Sequence, residues 1–429
     1  MNRLVAFIKD CVKDFSVSDS ARKIFKYQFF TVVFALTSNI IIARLLGPEK
    51  KGIVDIFVLI YMMILEFGLC GFGSGLLYQI TQKKRPLNQA HGTAIAFTMI
   101  MGILIGLLGW FGLPLWQSIF PVVPKWIILA AFMLAPLVFY KQLWESIMTG
   151  ANRAIVIYKV GHIFSIIQLG AIITLWMLDS VTYEMIIYWS ILRIALNMIA
   201  SFFIIRSQEK TIQADFSLAK DILKYGSIIY AGALANMLHF KIDQIMISYW
   251  LGLEAVGIYT VSVRWAETLF LLDTAILAAS LYKISASSPE VSFQTARKVF
   301  RTQFIISIIA GTLFALMAYP LVYILYGEAY GNAALPLILL IPGVIAWSTS
   351  KSSSNLLTYN LGQGGFLAKI SFLGFFANVI LNYYMIKILE WGINGAAIAS
   401  SISYFLVAVA IVLQSKHQEK KHVADQTAN

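Results

Sequence analysis

Charge is what this sequence has least of. Asp, Glu, Lys and Arg make up only 13% of its 429 residues, against about 25% in an ordinary soluble chain. A soluble fold of this length would split into domains with polar exteriors, and there is too little charge here to cover them. Cysteine is nearly missing too. Cys11 and Cys70 are the only two, one expected in a terminal segment and one in a helix, so no disulfide framework is available. The five histidines are scattered at positions 91, 162, 239, 417 and 422. There is no HExxH, no Cys/His cluster at metal-binding spacing and no GxxxxGK[ST] loop, which argues against metallohydrolase and nucleotide-hydrolysing chemistry. No cofactor is expected. No small-residue cleavage site follows the first apolar stretch, so a removable leader is not expected either.

What fills the chain instead is apolar. Hydrophobic residues reach 59% and the mean hydropathy is +0.76. Apolar runs of the length needed to cross a bilayer as a helix, about 20 residues, fall near 27–46, 53–78, 90–113, 126–148, 155–178 and 184–205. A second set falls near 223–250, 255–282, 302–326, 333–359, 365–388 and 392–414. The runs are continuous rather than alternating, which excludes a β-barrel reading. The predicted fold is an all-α integral membrane protein with about twelve transmembrane helices. Segment 1–26 is expected as a cytoplasmic N-terminus, 27–205 as a first half of six helices and 206–222 as a cytoplasmic linker. The second half then covers 223–414, followed by a tail at 415–429. The two longest connections are expected near 206–222 and 283–301.

The formal net charge of +12 would suit nucleic acid if it were clustered, but its distribution follows topology. With the N-terminus inside, the inner segments hold Lys83, Lys84, Arg85, Arg153, Lys159, Arg206, Lys210, Lys283, Arg297, Lys298, Arg301, Lys416, Lys420 and Lys421. The outer loops offer little beyond Lys50, Lys51, Lys125 and Lys387. This positive-inside asymmetry predicts that both termini face the cytoplasm, with anionic lipid rather than nucleic acid as the partner of the basic face.

The sequence also repeats itself. Asn39 begins NIIIARLLGPEKKGI and Gln244 begins QIMISYWLGLEAVGI. One fixed offset carries Gly47 onto Gly252, Glu49 onto Glu254, Gly52 onto Gly257 and Ile53 onto Ile258. Each copy closes the first span of a six-span half and opens the second, so the halves are expected to be parallel repeats with a site between them. Gly71, Gly73 and Gly75, and the pair Gly102 and Gly106, are read as close helix packing. Pro136, Pro320 and Pro342 fall inside spans, where kinks arise.

Charges left inside spans are the informative remainder. Each costs about 2.5–3.5 kcal/mol on insertion scales, so it is expected to face a cavity or a partner. Arg44, Lys141, Arg193, Lys241, Arg264 and Lys351 are the cations, and Asp55, Glu66, Glu145, Asp243, Glu267 and Asp273 the acids. Arg44 and Asp55 sit near helix ends, where snorkelling alone would explain them. Lys141 with Glu145, and Arg264 with Glu267, are spaced as self-neutralising pairs on one helix face. Arg193, Lys241, Arg264 and Lys351 come from different helices of both halves. Together with Lys141 and Arg44 they are the candidates for a cationic cavity that binds an anion. Glu66, Asp243, Glu267 and Asp273 are the candidates for proton or sodium coupling.

Two segments carry a family resemblance. ARLLGPEKKGI, from Ala43, resembles the RLLGPExYG signature of Wzx-type polysaccharide flippases, with Lys51 standing where that family often has Tyr. The stretch from Asn360 resembles the same family's last three helices, through Asn378, Asn382, Gly392, Ile393, Gly395, Ala396 and Ala397. The resemblance implies a fold shared with MATE-type multidrug exporters: two six-helix lobes around a central cavity, working by alternating access. It further implies movement of undecaprenyl-pyrophosphate-linked oligosaccharide units, such as O-antigen repeats, across a bacterial inner membrane. Polysaccharide polymerase and assembly proteins would then be the partners. It supplies no catalytic residues, and the chain is expected not to be an enzyme. An ion-coupled multidrug exporter on the same fold is the alternative, disfavoured by the excess of candidate basic site residues over candidate acidic ones. A membrane polymerase or ligase would need a large outer loop, and every outer loop here is short.

Overall fold

A computed structural model describes residues 19–207 and 211–428; Cys11, the basic residues before position 19 and Lys210 lie outside the described residues. Among the described residues the regular structure is helical throughout. The first-half helices are α1 (Asp19–Leu69), α2 (Phe72–Thr81), α3 (Leu87–Phe111), α4 (Leu113–Ile119), α5 (Lys125–Met133), α6 (Ala135–Gly150), α7 (Ala154–Met177) and α8 (Tyr183–Arg206). The second-half helices are α9 (Phe216–Trp250), α10 (Gly252–Ala286), α11 (Pro289–Tyr326), α12 (Ala334–Asn355), α13 (Gly364–Asn382) and α14 (Gly392–Ala428). A 3-10 segment, Glu328–Ala333, leads into α12, and π-helical turns at Leu356–Asn360 and Tyr383–Ile388 close α12 and α13.

Nine described stretches are long and apolar enough to cross a bilayer. One of them, Lys23–Leu69, has 47 residues, far more than one crossing needs, and it bends at Gly47 (φ 72°) into two limbs. Helices α9 and α10, 35 residues each, are not among the nine. They carry Lys241, Asp243, Arg264 and Glu267, and each is flanked by spanning helices of both halves. Counting the limbs of α1 separately and adding α9 and α10 gives the expected twelve crossings.

Helices α1 to α8 pack mainly on one another, as do α9 to α14, so each half is a lobe. The main contacts between lobes are α1 on α10 and α2 on α9. Without water to drive apolar groups together, helices in a bilayer associate where small side chains let backbones approach. Both inter-lobe contacts are built that way. A Cβ on Gly52 would lie 1.9 Å from the Leu253 carbonyl oxygen, and one on Gly257 would lie 2.0 Å from the Pro48 carbonyl oxygen. These are the repeat positions, and the contact is reciprocal, as a pseudo-two-fold axis demands. Gly47 and Gly252, the paired turn glycines, both take positive φ (72° and 86°) in open space. There it is the left-handed backbone, not crowding, that calls for glycine. At the opposite end of the molecule Gly71 and Gly226 pack backbone to backbone, with Cβ positions 2.3 and 2.2 Å from each other's carbonyl oxygens.

Helix ends follow local chemistry. Asp215 caps α9, accepting from the Ser217 and Leu218 amides at 2.9 and 3.0 Å, and Thr182 caps α8 through Met185. Such caps satisfy amides that have no partner inside the helix. Pro136 marks a break of one crossing into α5 and α6, whereas α11 and α12 run on through Pro320 and Pro342. Two connections differ from expectation. The segment near 283–301 is helical except at Ser287 and Ser288, and the tail at 415–428 continues α14. At about 1.5 Å per residue, the 38-residue α11 exceeds a hydrocarbon core of about 30 Å. Its extension pairs with that of α14 through Arg297 to Glu419 and His422 to Glu290. Apolar run length marks only the part of a helix that lies in lipid, so such polar extensions leave no hydropathy signal.

The reciprocal glycine contact is expected to be intolerant. Gly52→Ala or Gly257→Ala should cost at least about 1–3 kcal/mol through overpacking. Gly106→Ala, whose Cβ would sit 3.8 Å from Met133 Sδ, should stay within about 0.5 kcal/mol. Thermal unfolding of the three variants in detergent separates the two outcomes.

Candidate functional site

The polar interior of the molecule is organised along one face of α10. Arg264, Glu267 and Phe270 follow at helical spacing, and each meets a different element. Glu267 Oε1 accepts from Lys241 Nζ of α9 at 3.2 Å. Lys351 of α12 places its ammonium 4.8 Å from the centroid of the Phe270 ring, a cation–π contact. Arg264 shares its surroundings with Tyr61 on the second limb of α1, whose phenol lies within electrostatic reach of both Arg264 and Arg193. Arg193 comes from α8, so the two guanidinium groups belong to opposite lobes.

Both arginines share a further property. The Nε of Arg193 and the Nε of Arg264 are buried and have no hydrogen-bond partner among the described residues. A buried unpaired donor is costly, and on a charged group more so. Guanidinium groups with unused donors present forks that match phosphate or carboxylate oxygens. Three of the predicted cations therefore lie at the α10 face, Arg264 on it and Lys241 and Lys351 against it, while Arg193 stands on α8 of the other lobe. Of these, Lys241 is neutralised locally by Glu267.

The remaining predicted residues lie elsewhere. Arg44 sits at the end of the first limb of α1, where its Nε donates to the Leu325 carbonyl at 2.8 Å and a terminal nitrogen donates to Ile324. These are the last carbonyls of α11, where a cation also complements the helix dipole. Lys141 pairs with Glu145 at 2.8 Å on α6, as their spacing predicts. Arg264 and Glu267 do not pair with each other. Glu267 takes Lys241 from the facing helix instead, because α9 brings an ammonium to it.

Among the acids, Glu66 is half-buried on α1 near Tyr230 and Cys70. Asp243 is buried within the second lobe. Its Oδ2 accepts from Tyr259 at 2.6 Å and Ser400 at 3.1 Å, and its Oδ1 accepts from the Gln244 amide at 2.8 Å. The polar interior continues beside it. His239 meets Ser403 at 2.9 Å, Asn378 donates to the His239 carbonyl at 2.9 Å, and Asn382 donates to Asn378. The side chain of Asp273 lies outside the described residues. Among the described residues no three His, Cys, Asp or Glu side chains are grouped as a metal centre requires.

Sequence reasoning missed one cluster. Lys51, expected on an outer loop, is 1% exposed, and Asp55 beside it is 9% exposed. Lys51 pairs with Asp55 and donates to Thr260 Oγ1 of α10 at 2.9 Å, while Thr260 donates to Asp55 at 2.5 Å. The i,i+4 spacing of Lys51 and Asp55 was the available signal. It went unread because α1 runs helically through the turn at Gly47, burying a residue that hydropathy assigns to a loop.

The chain belongs to the family of polysaccharide biosynthesis proteins, whose signature it matches over residues 41–335. It is 29% identical over 226 residues to an uncharacterized membrane protein, MJ1375, of Methanocaldococcus jannaschii, covering 51% of each chain. The chain spans about half or less of the length of the curated relatives it matches, 38% of one and 51% of the other. Among solved structures it is similar to the lipid II flippase MurJ in an inward closed conformation, with a TM-score of 0.73 and 15% identity over 92% of this chain and 87% of that one. It is similar also to an inward-facing MATE-family multidrug transporter, with a TM-score of 0.72 and 17% identity over 90% and 94% of the two chains. At these identities the likeness establishes the fold: two six-helix lobes of the kind found in MATE and MurJ transporters. Family and fold together make the chain a multi-pass membrane protein of the polysaccharide biosynthesis family, built on a fold that its structural neighbours, a flippase and multidrug transporters, also have.

The Lys241–Glu267 pair offers a check on this geometry. Their side chains are 23% and 39% exposed, so solvent screens the pair and its coupling should stay below about 1 kcal/mol. A double-mutant cycle with Lys241→Met and Glu267→Leu, read by thermal unfolding, should return a coupling that is positive but within that limit.

Proposed function

We propose that this protein translocates undecaprenyl-pyrophosphate-linked oligosaccharide repeat units, of O-antigen or another surface polysaccharide, from the cytoplasmic to the outer leaflet of a bacterial inner membrane. The observation that supports it most is the pair of arginines, Arg193 and Arg264, one from each lobe, whose buried Nε–H donors have no partner among the described residues. A pyrophosphate supplies oxygens for both forks at once, and a ligand held by both lobes is one whose binding depends on their relative position. Lys351 adds positive charge along α10, while Lys241 there is balanced by Glu267. The sugar then occupies the space between the lobes, and the polyprenyl tail stays in lipid at their lateral gap.

In this reading both termini face the cytoplasm and no cofactor takes part. The driving force is a proton or sodium gradient, taken up at Glu66, Asp243, Glu267 or Asp273. Polymerase and assembly proteins receive the flipped unit on the far side. The cationic face is also what separates this reading from multidrug export on the same fold, which suits cavities lined by acids for cationic drugs.

Neutralisation tests it. Arg193→Gln and Arg264→Gln each remove a charge-assisted hydrogen bond worth about 1.5–3 kcal/mol, which should weaken cargo binding by about tenfold or more. Surface polysaccharide should fall accordingly in cells depending on the variant, at constant protein level in the membrane. Lys387→Gln, remote from the cluster, should leave it unchanged. If Arg193, Lys241, Arg264 and Lys351 can all be neutralised in turn with full polysaccharide display, the cationic-cavity mechanism is wrong.

A further inference from the structure

The end of the molecule that bears the turn glycines Gly47 and Gly252 is closed by a set of polar contacts between lobes, and these share an uncommon arrangement. Every first-lobe partner comes from α1. Arg44 holds the last carbonyls of α11, and Tyr330 donates to the Ala43 carbonyl at 3.0 Å. Thr260 of α10 bonds both Lys51 and Asp55. Beneath them lies the reciprocal contact of Gly52 and Gly257.

The charges at this seam are buried, but they do not depend on the seam for their balance. Lys51 and Asp55 stand one turn apart on the same helix and pair with each other. A buried ion is destabilising when its partner is taken away. Separating the lobes takes neither partner away. It strips the pair only of the Thr260 hydroxyl and replaces protein with water around two charges that gain by hydration. The other bonds that break, Tyr330 to a carbonyl and Arg44 to two carbonyls, are also ones that water replaces at little net loss. The seam is thus dry and well bonded when shut, yet every polar group in it is provided for when open.

We infer that Lys51, Asp55 and Thr260, with Arg44 on the α11 terminus, form a reversible latch. It shuts the central cavity at this end and releases during transport. The role rests on the alternating-access reading above but not on the identity of the cargo. It also assigns a purpose to Lys51, the position at which the chain departs from the RLLGPExYG pattern. A hydratable pair in place of an aromatic ring lowers the cost of opening.

The test uses the full chain in lipid nanodiscs, with Cys11 and Cys70 replaced by Ser and spin labels at the exposed positions 50 and 328 on either side of the seam. Distances are measured by double electron–electron resonance, with and without undecaprenyl pyrophosphate. Thr260→Val, which leaves the ion pair intact, should raise the long-distance population about threefold or more, and Thr260→Ser should restore the parent distribution. The double variant Lys51→Met with Asp55→Leu should act in the opposite direction. It keeps the seam filled but makes opening expose apolar surface, so the long component should fall about threefold or more. If undecaprenyl pyrophosphate shifts the distances while Thr260→Val, Arg44→Gln and the double variant all match the parent, two states exist and the latch is refuted. If a single distance persists in every variant and condition, alternating access itself fails, and the latch with it.

Discussion

Everything in this protein follows from the absence of water in the bilayer core. A backbone in lipid must satisfy its own hydrogen bonds, so each crossing is a helix. Helices in lipid gain nothing by hiding apolar side chains from one another, so they associate through close backbone approach and polar contacts. Those two consequences explain why the lobes meet at glycines. Gly52 against Gly257 and Gly71 against Gly226 are places where any side chain would collide with a carbonyl. The glycines bring backbones of opposite lobes together, and around them the longer polar side chains find partners.

The same constraint sorts the charges. Most Lys and Arg residues lie outside the apolar runs. Of those left inside, some are balanced on their own helix, as Lys141 is by Glu145 and Lys51 by Asp55. Some are balanced across helices, as Lys241 is by Glu267. Arg44 uses the exposed carbonyls at a helix end instead of an acid. Arg193 and Arg264 retain donors that no described residue satisfies. They are the interior cations on which the proposed cargo binding rests.

Legibility in the sequence tracked how local the deciding physics was. The number and class of the spans were readable because burial in lipid requires an unbroken apolar run. The repeat was readable because a turn that needs left-handed backbone needs glycine at Gly47 and Gly252 alike. The pairing of Lys141 with Glu145 was readable from spacing. Arg264 and Glu267 have similar spacing and do not pair, because α9 presents Lys241 to the same carboxylate. The burial of Lys51 was hidden for a related reason: Thr260, which covers its pair with Asp55, meets it only when two lobes close on each other. The helical extensions of α11 and α14 were hidden because polar helix outside the membrane has no run of apolar residues to announce it.

By itself, then, the sequence determined a helical membrane protein of two related halves, with a basic face and a small set of interior charges. These follow from composition and periodicity along the chain, since lipid acts on each helix separately. The tertiary structure alone decided which charges neutralise one another, that Arg193 and Arg264 keep buried donors without a partner among the described residues, and that Lys51 is buried between lobes rather than tipping a loop. Those outcomes depend on which helices become neighbours across the lobes. That choice is made by distances and directions in three dimensions, and spacing along the chain does not encode them.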